Sequence, residues 1–264
     1  MSMDTQSQAL DFSAVRELVS AALVSGASAL DERQSKQVFA AYGIPVPAGA
    51  LVTGEAEAVA AAARIGGKVV MKAVGGEIHH KTEGGLVVLG VEGAEAVAET
   101  YRLLEERAGD ALEAVLVEQL VAGNREFMVG MKRDPIFGPV VAFGLGGVLT
   151  EALGDVVLGL APLDDRDAAE LPDLIKANRL LGPFRGYPPV DRAELAKILQ
   201  AIGQIALDHP EIAEIDVNPV LVEGDRPVAA DALIVLAREE AKEPERSAFV
   251  PDLKPLVAPR SMAV

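Results

Sequence analysis

The chain has 264 residues, half of them hydrophobic, with no cysteine and no tryptophan. That length can bury a sizeable core, as one large domain or two lobes, built mainly from Val, Leu, Ile and Ala. A net charge of −16 with no Lys/Arg cluster argues against a free nucleic-acid binder and an anionic-membrane binder, and the lack of cysteine excludes a disulfide scaffold or thiolate metal site.

The N-terminus M-S-M-D-T-Q-S-Q lacks a basic region followed by an apolar core, so no signal peptide is expected. The longest uncharged run, 135–150, is too short and glycine-rich to span a bilayer, and the expected location is the cytoplasm. Apolar residues recur every three or four positions over 12–26, which predicts a helix closed by Gly26. Asp31 starts a second helix with Gln34 as its capping-box partner, ending at Tyr42-Gly43 before I-P-V-P. An alanine-rich helix capped by Thr53 is expected over 53–66. Strands at 68–71, 85–91 and 114–120 and a helix at 94–108 complete a small α/β lobe.

Residues 121–124 read as a hinge. A second lobe follows, with strands at 125–132, 139–143 and 156–160, helices at 164–181 and 191–208, and a terminal β pair at 212–222 and 227–236. From Arg238 the chain is charged, then proline-containing, and reads as a loosely held tail. The expected division is a tail and helix (1–30), an N-terminal lobe (31–120), a C-terminal lobe (121–237) and a terminal tail (238–264).

The segment V-V-M-K-A-V-G-G-E-I-H-H-K-T-E-G-G, residues 69–85, carries the most chemistry. Lys72 at a strand end is suited to phosphate contact, although a surface lysine is the bland alternative. His80 lies in a loop bracketed by Gly75-Gly76 and Gly84-Gly85, and an unprotonated imidazole nitrogen accepts a phosphoryl group near neutral pH. Eight extended residues reach about 25–29 Å, enough to carry a group between separated sites. The alternative is a solvated loop histidine. His79 has no assigned role, and His209 reads as a helix-end dipole partner or plain surface.

In I-A-E-I-D-V-N-P, residues 212–219, the two-residue strand period puts Glu214, Asp216 and Asn218 on one face. A turn centred on Gly224-Asp225 sets Asn218 opposite Asp231, an arrangement of two oxygen donors suited to Mg²⁺. Pro219 and Pro227 have opposite hydrogen-bonding parity in that register, so a bulge or looser turn is expected; a polar edge face is the alternative. Glu118-Gln119-Leu120 ends a strand at the hinge, where backbone amides and carbonyls can read an adenine edge. The G-L-G-G turn at 144–147 is either a phosphate turn or a tight strand connection, and the P-loop pattern is absent.

Together S-K-Q-V-F-A-A-Y-G-I-P-V-P, V-V-M-K, I-H-H-K-T-E-G-G, V-L-V-E-Q, R-D-P-I-F-G-P-V-V-A-F-G-L-G-G, L-G-P-F-R-G and I-A-E-I-D-V-N-P resemble the ATP-grasp domain of NDP-forming acyl-CoA synthetases. The similarity spans about residues 30 to 236 and is to the separate beta subunit of ADP-forming acetate–CoA ligases. It implies a two-lobed ATP-grasp fold of the α/β class, with mixed or antiparallel sheets, flanking helices and ATP or ADP held between the lobes. It implies that Lys72 contacts phosphates, that Glu118, Gln119 and Leu120 frame the adenine, and that Glu126 assists at the ribose. Asn218 and Asp231 are implied as Mg²⁺ ligands, His80 as the phosphohistidine of a relay in the loop 73–85, and Asp216 as its hydrogen-bonding partner.

One departure stands out: the family reads S-P-D or similar where this chain has Gly75-Gly76-Glu77, which makes the loop more flexible. The implied reaction is acyl-CoA + ADP + phosphate ⇌ organic acid + CoA + ATP. The chain has no room for CoA-binding and ligase domains, so an alpha subunit is the expected partner, in an α2β2 assembly. Two other readings are a regulatory ATP-grasp module within a larger acyltransferase and a stand-alone amide-forming ligase. Retention of Lys72, His80, Asp216, Asn218 and Asp231 argues against the first, and a loop histidine is superfluous for the second.

Overall fold

A computed structural model describes residues 12–75, 85–147 and 154–237. The N-terminal portion folds as α1 (Phe12–Val24), β1 (Ala29–Leu30) and α2 (Glu32–Ala41). The expected capping box on α2 is present: Asp31 Oδ1 accepts from Gln34 N at 2.7 Å, and Gln34 Oε1 accepts from Asp31 N at 3.0 Å. Next come β2 (Gly49–Val52), α3 (Glu55–Ile65), β3 (Val69–Val74), β4 (Val87–Val91), α4 (Ala94–Ala108) and β5 (Ala114–Gln119). Thr53 does not cap α3. The N-cap is Gly54, while the Thr53 N–H and hydroxyl both donate to Glu57.

The rest comprises β6 (Gly123–Asp134), β7 (Gly138–Leu145), β8 (Val156–Leu160), α5 (Asp165–Glu170), α6 (Arg192–Asp208), β9 (Ile212–Glu223), β10 (Arg226–Ala229) and β11 (Leu233–Leu236). Short 3₁₀ turns at Leu171–Leu174 and Asn178–Leu181 replace most of the helix expected over 164–181; Pro172 sits at the start of the first. The hinge expected at 121–124 is partly strand, because Gly123 and Asn124 already belong to β6.

Two antiparallel sheets define two lobes. The smaller has strand order β2-β5-β3-β4 and is backed by α3 and α4 around Val69, Met71, Val115, Val117 and Leu104. The larger runs β1-β11-β9-β6-β7-β8, with β10 paired to β9, and its core includes Phe127, Phe143, Ile198 and Ile215. Sequence order misled on one boundary. Val38, Phe39 and Ile44 join the larger core and β1 pairs with β11, so α2 belongs to the larger lobe although it precedes the smaller one.

His209 is also not a surface residue: it is 3% exposed, and its Nε2 lies 3.1 Å from the Tyr42 hydroxyl. Burial pulls its pKa below the ordinary histidine value, with Glu211 and Asp208 opposing the shift. Among the described residues, no helix is long and apolar enough to cross a membrane.

Candidate nucleotide site

Lys72 lies within β3 rather than at its end. Val69, Met71 and Ala73 point into the small core, so the alternation of the strand sends Lys72 to the opposite face. That face meets α2. Lys72 Nζ pairs with Glu32 Oε1 and lies 3.2 Å from Glu118 Oε2. Lys36, one turn after Glu32, reaches Glu118 at 2.7 and 2.8 Å and Glu32 at 2.9 Å. Two lysines and two glutamates thus close a charge quartet between the lobes, each side chain 12% exposed or less.

Burial alone lowers the Lys72 pKa, but Glu32, Glu118 and Asp231 overcome it and hold the ammonium well above the usual lysine value. For Glu32, burial raises the pKa, and Lys36 and Lys72 reverse this and keep its carboxyl below 4.5. Glu32 and Lys36 were missed in the sequence. An E-x-x-x-K spacing on a capped helix was visible, but the same spacing is common on solvated helix faces.

Glu118 is expected at an adenine edge through its backbone, and its carboxylate is committed to Lys36 and Lys72. Gln119 N donates to Ala48 O at 2.8 Å and Leu120 N to Lys68 O at 3.0 Å. In this conformation those two amides serve the sheet.

The larger sheet brings the acidic residues together in the expected register. Val220 faces Ala229 on the β10 side and Asp216 faces Leu233 on the β11 side, so one register carries Asn218 opposite Asp231. Regular pairing lapses at 230–232, beside Pro219, where Ala230 N donates to Pro219 O at 3.1 Å. The expected irregularity is there, and Pro227 pairs within β10.

Burial, then Asp231 and Glu214, push the Asp216 carboxyl above its ordinary value. Asp231 therefore acts electrostatically on Asp216 and on Lys72. It links the acidic face of the larger lobe to the lysine of the smaller one. No cluster of three or more His, Cys, Asp or Glu side chains in metal-binding geometry occurs among the described residues. Two oxygen ligands fit Mg²⁺ that shares its shell with phosphate and water, and a cation there relieves the repulsion Asp216 feels.

Glu126, on β6, packs against the glycine turn. Gly147 (φ +69) donates its N–H to Asn218 Oδ1 at 3.1 Å, and a Cβ on Gly147 would overlap Glu126 Oε2. A Cβ on Gly146 would sit 2.5 Å from Phe127 O. G-L-G-G is thus a close-packed connection that joins Glu126 to Asn218. A cavity of about 370 Å³ opens beside Glu126 and Gly146, bounded by Arg125, Phe184, Arg185 and Tyr187. Arg125 is 3% exposed and holds the far wall by donating to Leu180 O, Gly182 O and Gly224 O. His79 and His80 lie outside the described residues, as does most of the loop 73–85.

The ATP-grasp domain family matches residues 21–236. The beta subunit of ADP-forming acetate–CoA ligase I from Pyrococcus furiosus is 41% identical over 212 residues, covering 78% of this chain and 91% of that subunit. The chain belongs to the ATP-grasp family of ADP-forming acid–CoA ligase beta subunits. Its relatives include longer chains: it is 38% identical over 206 residues to ADP-forming acetate–CoA ligase I of Archaeoglobus fulgidus, of which it spans only 30%.

The ATP-grasp chain is also similar in structure to acetyl-coenzyme A synthetase 1 of Candidatus Korarchaeum cryptofilum. The TM-score is 0.81 at 37% identity, over 84% of this chain and 99% of the other, which was crystallised with coenzyme A and Ca-AMPCP. In another state that protein holds coenzyme A and Mg-AMPPCP with its phosphohistidine segment pointing towards the nucleotide-binding site. In a third the segment is phosphorylated and in its site I orientation.

Proposed function

We propose that this chain is the nucleotide-binding beta subunit of an ADP-forming acid–CoA ligase, carrying a phosphoryl group on His80 between an alpha subunit and Mg-ADP. The observation that carries the reading is the position of Lys72, paired with Glu32 and Glu118 where the small sheet meets α2 of the larger lobe and within electrostatic reach of Asp231. A cationic lysine and an oxygen-donor face opposed across a cleft suit a polyphosphate and its counter-ion.

On the alpha subunit, a phosphate oxygen attacks the thioester carbonyl carbon. The C–S bond breaks, and CoA leaves as a thiolate that takes a proton. An alpha-subunit histidine then attacks phosphorus, and the carboxylate departs. His80 accepts the phosphoryl group and passes it to the β-phosphate of ADP, breaking N–P and forming O–P. Asp216 orients the His80 imidazole and stabilises its cationic form, consistent with its acidic, half-buried position on the face of β9.

Lys72 neutralises phosphate charge, Glu118-Gln119-Leu120 flank the base through carbonyl oxygens, and Glu126 meets the ribose. Asn218 and Asp231 are the residues to hold Mg²⁺, which when bound neutralises phosphate oxygens. A separate alpha subunit is supported by the relative named as a beta subunit and by the small share of a longer relative that this chain spans. An α2β2 assembly in the cytoplasm belongs to the same reading.

The test is phosphohistidine formation from γ-labelled ATP and Mg²⁺. Acid-labile label is expected on the wild type and is absent from His80→Ala. No label on the wild type, or equal label on the variant, overturns the relay.

A further inference from the structure

The charge quartet is costly to bury, and a buried ion pair is poor evidence of stabilisation, since apolar replacements often do as well. It also joins an element of each lobe: Glu32 and Lys36 ride on α2, packed in the larger core, while Lys72 and Glu118 belong to the small sheet. The quartet carries two positive and two negative charges, so it is neutral as a unit. Lys72 is in electrostatic reach of Asp231 on the larger lobe.

Lys36 sits on Glu118 through both carboxylate oxygens, whereas Lys72 touches only one of them, and at the longer distance of 3.2 Å. Without Lys36, two carboxylates would converge on Lys72 alone, and the unit would turn negative next to a polyanion. A cavity of about 510 Å³, walled by Arg33, Lys36, Gly49, Leu116 and Glu118, runs along the Lys36–Glu118 side. Lys36 and Glu118 therefore line a cavity rather than lie sealed in a core.

We infer that Glu32 and Lys36 are positioning residues for the nucleotide: they set the charge balance that decides how strongly Lys72 holds phosphate. Lys36 engages Glu118 so that Lys72 has a share of its charge to offer. Glu32 competes with phosphate for Lys72 and ties α2 to the small lobe until phosphate replaces it. This rests on the reading of Lys72 as the phosphate contact and extends it to an element outside the small lobe.

The experiment measures ADP affinity of the full chain by titration calorimetry for four variants beside the wild type. Lys36→Met makes the unit net negative and should weaken ADP binding about tenfold or more, the scale of one poorly screened charge at this range. Lys36→Arg should restore most of the affinity. Glu32→Gln makes the unit net positive and should tighten binding even though it removes a lobe contact. The double variant Glu32→Gln/Lys36→Met restores neutrality and should bind better than Lys36→Met alone.

A purely structural quartet predicts the reverse order, with Glu32→Gln weaker than wild type and the double variant weakest. That result, or unchanged affinity in Lys36→Met, overturns the inference. Should Lys36→Met fail to fold, the sign of the change in Glu32→Gln decides the matter by itself. Lys72→Met separates the two levels: unchanged ADP affinity there overturns the nucleotide-site reading itself, whatever the quartet variants do.

Discussion

The backbone N–H of Gly147 donates to Asn218 Oδ1 at 3.1 Å, tying the turn after β7 to the strand that carries the acidic face. The Glu126 carboxylate occupies the space a side chain on Gly147 would need, and the glycine has φ +69. Gly147→Ala should therefore displace both Glu126 and Asn218. We expect a loss of stability of about 1–2 kcal/mol and a drop in ADP affinity of about tenfold or more. Urea unfolding and calorimetry check both, and wild-type ADP affinity in the variant would separate this turn from the nucleotide.

The same register flanks an irregular stretch on both sides, and carried through it sets Asn218 opposite Asp231. Replacing either by alanine should raise the Mg²⁺ concentration that half-saturates ATP binding by about tenfold or more. Excess Mg²⁺ or Mn²⁺ should recover part of the binding. A titration of nucleotide binding against metal reads this directly, and an unaltered midpoint in both variants would remove the pair from the metal site.

Two carboxylates should respond to pH with opposite signs. Glu32 is held below its ordinary value because Lys36 and Lys72 outweigh the effect of burial. Its stabilisation is present above pH 4.5 and disappears as pH falls through the lowered folded value. Asp216 is raised by burial, Asp231 and Glu214, so its ionised form costs stability above the raised value and costs nothing well below pH 3.8. At neutral pH, Glu32→Gln should lower the melting temperature and Asp216→Asn should raise it, each by about 2–4 °C per kcal/mol. Both differences should shrink on acidification, as thermal unfolding across pH 3–8 would report (about the span of ordinary carboxylate titration).

Arg125 serves three carbonyl oxygens at once, those of Leu180, Gly182 and Gly224, and its guanidinium lies 5.9 Å from the Tyr187 ring centroid. A lysine supplies charge but not the planar fork. Arg125→Lys should cost about 2 kcal/mol and loosen the wall formed by Phe184–Tyr187. Denaturant unfolding and amide exchange at 180–187 test this, and wild-type protection in the variant would show that the fork is dispensable.

Much of this molecule was legible because its signals are local. The Asp31/Gln34 box, the helix Ala94–Ala108 and the strand Val156–Leu160 follow from capping and apolar periodicity within a few residues. The β9 hairpin was legible in more detail, since a two-residue strand period and one glycine turn fix which residues oppose. Thr53 was misread because a cap is chosen by backbone geometry. Its side chain turned to Glu57, and Gly54 took the position. The mixed 3₁₀ and helical stretch after Asp165 was misread because a proline interrupts a period that otherwise looks continuous.

The sequence by itself determined the family, the lysine strand and the register on either side of Asn218, because motif spacing and strand parity are properties of the chain. Only the tertiary structure decided that α2 crosses to the larger lobe. It alone brought Glu32 and Lys36 against Glu118 and Lys72, up to 82 positions away in the chain. It also gave Glu126 its place against Gly147. Those contacts arise where the two hydrophobic cores meet. The charge balance around Lys72 depends on which helix covers the open face of the small sheet, and no local pattern encodes that choice.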